Sequence, residues 1–313
     1  MPADKNAISI LVRNLRLPLL VGIVYFHTHF FKYVDQTVLD SYTVFSALNF
    51  VFTDIIFQCC VPLFFVFSGY FFFHERTLTP QLYAQKLKKR VFSLLIPYII
   101  WNALVLLVMY LQEGLMGSTS SRMGVLHDYS ISDWIYAFFD NSHSWSFTGP
   151  LGQPASVQFW FIRDLLILSV LSPILLALTR LNRYMMLGIL LFIFFFPYHL
   201  PHLNNSSITF FGLGVFLQLY DIDFTRPIKR FSICQTPLFP PIVEKSCFFV
   251  FAYHVIPTAI LCRMAMTFIP LSDFSLISLK ILIPTVVILL GIAIYAFLSH
   301  FFPRITSILT GSR

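Results

Sequence analysis

The first long apolar stretch, LVRNLRLPLLVGIVYFHTHFF (11–31), carries two side chains able to do chemistry at membrane depth, Arg16 and His27. Their spacing is almost three turns of a helix with about 3.6 residues per turn. Both therefore fall on one face, roughly 16 Å apart along the axis. Ionisable groups in a bilayer are costly and face a protein interior or a watery cavity, so they point to function. A neutral imidazole in a partly dry cavity can take a proton from a hydroxyl, because desolvation disfavours its charged form. The competing role is a structural histidine bonded across to a neighbouring helix. His29 lies about 200° further round an ideal helix, which would keep it out of any site His27 shares. Arg13 and Arg16 are neighbours on the helix surface. They suit a phosphorylated donor arriving from the cytoplasm, or serve as topology charges that snorkel to the headgroups.

Three later blocks carry further candidates. In KLKKRVFSLLIPYIIWN (86–102) the cations, Lys89 and Arg90 among them, match either a phosphate-rich nucleotide or a positive-inside determinant. FWFIRDLLILSVLSP (159–173) offers Trp160, Arg163 and Asp164: an aromatic face, donors and an acceptor for a sugar, or an interhelical ion pair. Adjacent residues on a helix point about 100° apart, so Arg163 and Asp164 are expected to pair with other helices more easily than with each other. FAYHVIP (251–257) contributes His254, expected near the cytoplasmic end in a structural or donor-side role. The Ser68-Gly69 pair in VPLFFVFSGYFFF (61–73) fits close helix packing better than nucleophilic chemistry. Cys59, Cys60, Cys234, Cys247 and Cys262 form no CxxC or metal-ligand spacing, which supports neither a disulfide framework nor a metal site.

The elements that must position these groups are apolar helices. Hydrophobic residues make up 57% of the 313, charged residues 11%, and mean hydropathy is +0.77. A soluble domain would carry about 25% charged residues. This is the composition of an all-α polytopic membrane protein, read as a single domain over 1–313. Hydropathy draws about eight spans, near 11–31, 50–73, 91–112, 158–178, 184–199, 206–220, 246–269 and 276–302. Of 21 Lys and Arg, sixteen then fall on one side, including Lys5, Arg76, Arg180, Arg226, Arg304 and Arg313; Lys32 and Arg122 are the clear loop charges opposite. That asymmetry places both termini in the cytoplasm and explains the net +7 without nucleic acid. No cleavable signal peptide is apparent, since Arg13 and Arg16 interrupt the first apolar run. Spans 5 and 6 are short, and Phe-Pro-Tyr-His (196–199) suggests irregular backbone facing a cavity. In the exterior segment 113–157, Ser132-Asp133 is expected to cap a short helix over 134–139, either a lid or an interfacial helix.

Taken in order, these blocks resemble the bacterial acyltransferase family 3, integral membrane proteins that move acyl groups onto extracytoplasmic carbohydrates. Arg16 and His27 match its Arg-(ten residues)-His signature, and PLFFVFSGYFFF (62–73) its Phe-rich Ser-Gly-Phe/Tyr span. KKRVFSLLIPYIIW (88–101), WFIRDLLILSVLSPIL (160–175), FFGLGVFL (210–217) and AYHVIP (252–257) are similar to its later motifs. The resemblance implies an O-acyltransferase of the inner (cytoplasmic) membrane. It would use acetyl-coenzyme A as co-substrate, with no permanently bound cofactor, on an exopolysaccharide, O-antigen or lipid-linked sugar. It further implies His27 as base, Arg16 as donor clamp, and Arg13, Lys89 and Arg90 on the nucleotide. Trp160, Arg163, Asp164 and His254 would serve the substrate side, and partners would be lipid and glycan-assembly proteins. Two departures stand out. Residues 221–245 are too rich in charge and proline for another span, and Leu94 stands where many members have an arginine. The competing functional class is a transporter or flippase of a polysaccharide or small metabolite, which broken helices suit equally well; a third is an inactive scaffold.

Overall fold

A computed structural model describes residues 5–75, 77–116, 125–140, 152–196 and 203–311. Arg76, Arg122 and Arg313 of the charge pattern, and residues 197–199 of the expected irregular segment, lie outside the described residues. The longer helices are α1 (Lys5–Phe26), α2 (Cys60–Phe72), α3 (Pro80–Arg90), α4 (Ile96–Met116), α5 (Trp160–Leu181), α6 (Arg183–Phe195), α7 (Asn205–Leu219), α8 (Pro241–Tyr253), α9 (Val255–Phe268) and α10 (Asp273–Phe301). No β-strand occurs among the described residues, so the chain is an all-α polytopic protein.

The eight apolar segments divide by length. Among the described residues, five continuous helical runs are long and apolar enough to cross a bilayer: Asn6–Phe26, Thr43–Phe72, Pro80–Leu115, Val157–Leu181 and Asp273–Phe301. A sixth crossing exists if α8 and α9, bent by 64° at His254, count as one broken span. Helices α6 and α7, of 13 and 15 residues, fall short of the ~20 that a 30 Å hydrocarbon core requires.

The chain forms two compact units. One comprises Ala3–Val61 and Asp223–Thr306, the other Pro62–Ile222 and Ser307–Arg313. In the first, α1, α8 and α10 pack together. Helices α1 and α8 run parallel, with Arg13 beside Glu244 at one end and His27 beside His254 at the other. Helix α10 runs antiparallel to both, as Tyr25 meets Thr285 and Tyr253 meets Val287. The proline-rich stretch before α8 is not a loose linker. Asn14, fully buried, donates to the carbonyls of Ile233 (2.8 Å) and Thr236 (2.7 Å) and accepts from the Leu238 amide (2.8 Å). A buried amide this well satisfied pins the segment to α1. Ala7, Leu11 and Cys234 form a small apolar cluster beside it, with Phe224 and Ile228.

In the second unit, two glycines explain the Ser-Gly-Tyr and Phe-x-Leu-Gly patterns together. A Cβ on Gly69 would stand 2.1 Å from the Phe211 carbonyl oxygen, and one on Gly214 would stand 2.0 Å from that of Val66. Helices α2 and α7 thus cross backbone to backbone, the small-residue contact that membrane helices use in place of a hydrophobic drive. Asn102 on α4 accepts from the Ser156 amide (2.9 Å), which fixes the approach to α5. Leu94 is almost wholly buried, so an arginine there would be buried too.

The short exterior helix differs from expectation in its start. It spans Ile131–Tyr136 and is capped by Ser130, not by Ser132-Asp133. The Ser130 hydroxyl accepts from the Asp133 amide while the Asp133 carboxylate accepts from the Ser130 amide. This reciprocal capping box places Asp133 three residues inside the helix.

Candidate active site

Helix α1 ends at Phe26, five residues before the end of the span expected over 11–31. His27 sits at that end, its amide still bonded to the Ile23 carbonyl (3.0 Å). The chain then turns, with the His29 amide reaching the His27 carbonyl (3.1 Å). This turn corrects the expectation for His29. Once helical geometry stops, the 200° offset no longer applies, and the two imidazole centroids lie 6.3 Å apart. Burial first, then the charges of Lys280 and Lys32, push the His29 imidazole down to about 4. It is therefore neutral at neutral pH.

His254 also departs from expectation. Because α8 runs parallel to α1, its C-terminal bend lies level with the far end of α1, not with the cytoplasmic end that the sequence suggested. The His27 and His254 rings are 5.2 Å apart between centroids. His254 is fully buried at the break between α8 and α9. Its Nδ1 lies 2.7 Å from the Phe251 carbonyl oxygen. A carbonyl only accepts, so Nδ1 carries the hydrogen and Nε2 presents a bare lone pair. That Nε2 is buried and finds no hydrogen-bond partner among the described residues, and neither does the Thr258 hydroxyl one turn on. Lys280 of α10 donates to the Thr28 carbonyl (2.6 Å), placing a cation at the C-terminal end of α1, where the helix dipole favours it.

At the other end of α1 the two arginines part company. Arg13 Nε contacts the Glu244 carboxylate at 2.5 Å. Arg16 is exposed, has no ion-pair partner among the described residues, and lies within electrostatic range of Cys247. Of the pair, Arg16 is thus the cation open to an anionic ligand.

The remaining candidates belong to the second unit. Lys89 is exposed on the last turn of α3, and the Arg90 guanidinium stands 5.7 Å over the Phe72 ring. Trp160, half-buried, begins α5 with its ring 6.3 Å from Phe65. Arg163 and Asp164, expected to pair with other helices more easily than with each other, do both at once. Arg163 curls back, its Nε and Nη2 both reaching Asp164 Oδ1 (3.2 and 3.0 Å). Its Nη1 donates to the carbonyls of Phe139 (2.8 Å) and Gly152 (2.6 Å). Asp164 Oδ2 accepts from the Asn204 amide (3.0 Å) and the Ser207 hydroxyl (2.7 Å). The long flexible arginine stem cancels the angular offset, and in a buried site a paired charge is far cheaper than a lone one. This pair ties α5, α7 and the exterior segment together.

Sequence reasoning missed Asn14, Glu244 and Lys280. Asn14 and Glu244 carried a faint signal, since each is a polar residue within one turn of a run otherwise read for its arginines or its hydropathy. Lys280 stands near the start of the last apolar run, where a cation reads as an ordinary span-end charge.

Set beside known proteins, residues 12–310 match the acyltransferase 3 sequence family, described as "Acyltransferase domain". The succinoglycan biosynthesis protein ExoH of Rhizobium meliloti (strain 1021) is 26% identical over 234 residues, 73% of this chain and 58% of that relative. The chain thus matches less than two thirds of the relative's length. No solved structure matches it.

Proposed function

We propose, for a chain that belongs to the acyltransferase 3 family, that it transfers an acyl group from acyl-coenzyme A to a carbohydrate hydroxyl in the cell's inner membrane. The observation that supports this most is the His27 ring set beside a buried His254 whose Nε2 has no hydrogen-bond partner among the described residues. In the proposed reaction His27 removes the hydroxyl proton as the oxygen attacks the thioester carbonyl. The carbon–sulfur bond breaks, the acyl group passes to the sugar oxygen, and the proton leaves with the coenzyme A thiolate. His254 acts as a positioning residue: its lone pair favours the imidazolium that forms on His27. Arg16, exposed and without an ion-pair partner among the described residues, offers a charge to the donor's phosphates. The acetyl group is the expected cargo.

Arg13 is engaged by Glu244, and the Arg163–Asp164 pair is satisfied internally. Both are better explained as parts of the scaffold than as ligands for substrate. The experiment is transfer from radiolabelled acetyl-coenzyme A to deacylated exopolysaccharide by purified protein in nanodiscs. Label should appear on the glycan, and Arg16→Ala should raise the KM for the donor with little change in melting temperature. Failure to bind or consume the donor would contradict the reading and favour a transporter.

A further inference from the structure

We propose that Thr258 is a positioning residue which, together with His254 Nε2, holds a buried water against the His27 ring. The proposal rests on the acyl-transfer reading and extends the same site by one residue. All three side chains belong to the first compact unit.

The backbone sets the site. Pro257 has no amide hydrogen, so the Tyr253 carbonyl loses its helical donor, and the chain bends by 64° between α8 and α9. Broken helices are tolerated at membrane depth where they line a polar interior. The Thr258 amide bonds to the His254 carbonyl (3.0 Å), so the two residues stand one turn apart on one side of the helix. Both are buried.

Thr258 departs from the habit of helical threonines. Thr179, Thr267, Thr285 and Thr306 each donate to the carbonyl four residues back, at 2.7–3.0 Å. The Thr258 hydroxyl makes no such bond to the His254 carbonyl and finds no other partner among the described residues. A buried hydroxyl that forgoes its local bond is turned toward something else, because an unmade hydrogen bond there is costly.

Counting hydrogens identifies the ligand. His254 Nδ1 gives its hydrogen to the Phe251 carbonyl, so Nε2 can only accept. Thr258 can donate and accept. What satisfies both must bring at least one hydrogen, and the His27 ring, 5.2 Å from that of His254 between centroids, is a third neighbour. A water suits all three, since buried waters typically make about three hydrogen bonds to such groups. An ion would instead add a charge to apolar surroundings.

In the reaction, one His27 nitrogen stays bare to take the sugar hydroxyl's proton. The other carries a hydrogen and donates it to the water oxygen, and the water donates in turn to His254 Nε2. That hydrogen bond fixes the His27 tautomer. When His27 becomes an imidazolium, the same chain shares its charge, and no bond of the water breaks. Thr258 holds the water in place.

The test is ¹⁵N solid-state NMR of the full histidine-labelled chain in nanodiscs, with the His254 signals assigned through their correlation to the Phe251 carbonyl. His254 Nε2 should correlate with water protons. Thr258→Val, which keeps the shape and removes the hydroxyl, should abolish that correlation and shift the Nε2 resonance, while Thr258→Ser should retain both. In the same preparations Thr258→Val should lower kcat about tenfold, the loss of one hydrogen bond to a developing charge. The donor KM and the melting temperature should stay unchanged, and Thr258→Ser should restore kcat. A missing water correlation in the unmodified protein, or one that survives Thr258→Val, overturns the water site. An unchanged kcat in Thr258→Val overturns the positioning role. The NMR readout needs no turnover, so a water correlation without acyl transfer contradicts the transferase reading and upholds the site.

Discussion

Two clusters of ionisable residues lie in apolar surroundings in this chain, and they are finished differently. At Arg163–Asp164 every donor of the guanidinium that the geometry brings inward finds a carboxylate or a carbonyl, and both carboxylate oxygens are occupied. At His27–His254 the opposite holds, with a buried nitrogen left without a partner among the described residues, beside a second imidazole. Closed polar networks fix a structure; an unfinished one marks a place where something else is meant to bind or a proton to move.

Variants at the closed cluster should break the fold first. Asp164→Ala strands the buried Arg163 charge and should cost about 3–5 kcal/mol, seen as a large drop in melting temperature or in recoverable protein. A variant that melts normally would make the pair dispensable and weaken the contrast. Next comes the helix crossing. Gly214→Ala forces a methyl against the Val66 carbonyl and should cost about 1–3 kcal/mol. Gly188→Ala, on α6 with nothing within 4 Å, should instead be neutral or stabilise by about 0.5–1 kcal/mol. Equal effects at the two glycines would show that backbone contact is not what Gly214 provides. The smallest effect belongs to Arg13→Ala. Its ion pair with Glu244 is 40% exposed on the arginine side, so screening should hold the loss below about 1 kcal/mol by thermal melting.

The sequence disclosed the fold class because apolar composition and span length answer directly to the bilayer. It also drew attention to Arg16 and His27 as candidates, since an ionisable residue in an apolar run is conspicuous. Helix ends were less visible. Nothing in VYFHTHFF announces that the helix stops at Phe26, so the geometry computed from ideal periodicity separated His27 from His29 when the turn brings them together. The neighbourhood of His254 depends on α8 running beside α1, a tertiary fact that charge counting does not reach. Arg163 and Asp164 show the same limit from the side-chain end: Cα directions set them 100° apart, but a guanidinium on three methylenes chooses its own partner.

The central claim is that His27 carries the proton of the reaction. Glycan acylation by purified His27→Ala, compared with the unmodified protein at matched melting temperature, measures this most directly. Removal of a general base should lower turnover about 10²–10⁴-fold without unfolding the protein. Turnover within about twofold of the unmodified enzyme, less than a tenth of the smallest loss expected of a general base, would contradict the account and make His27 a structural residue.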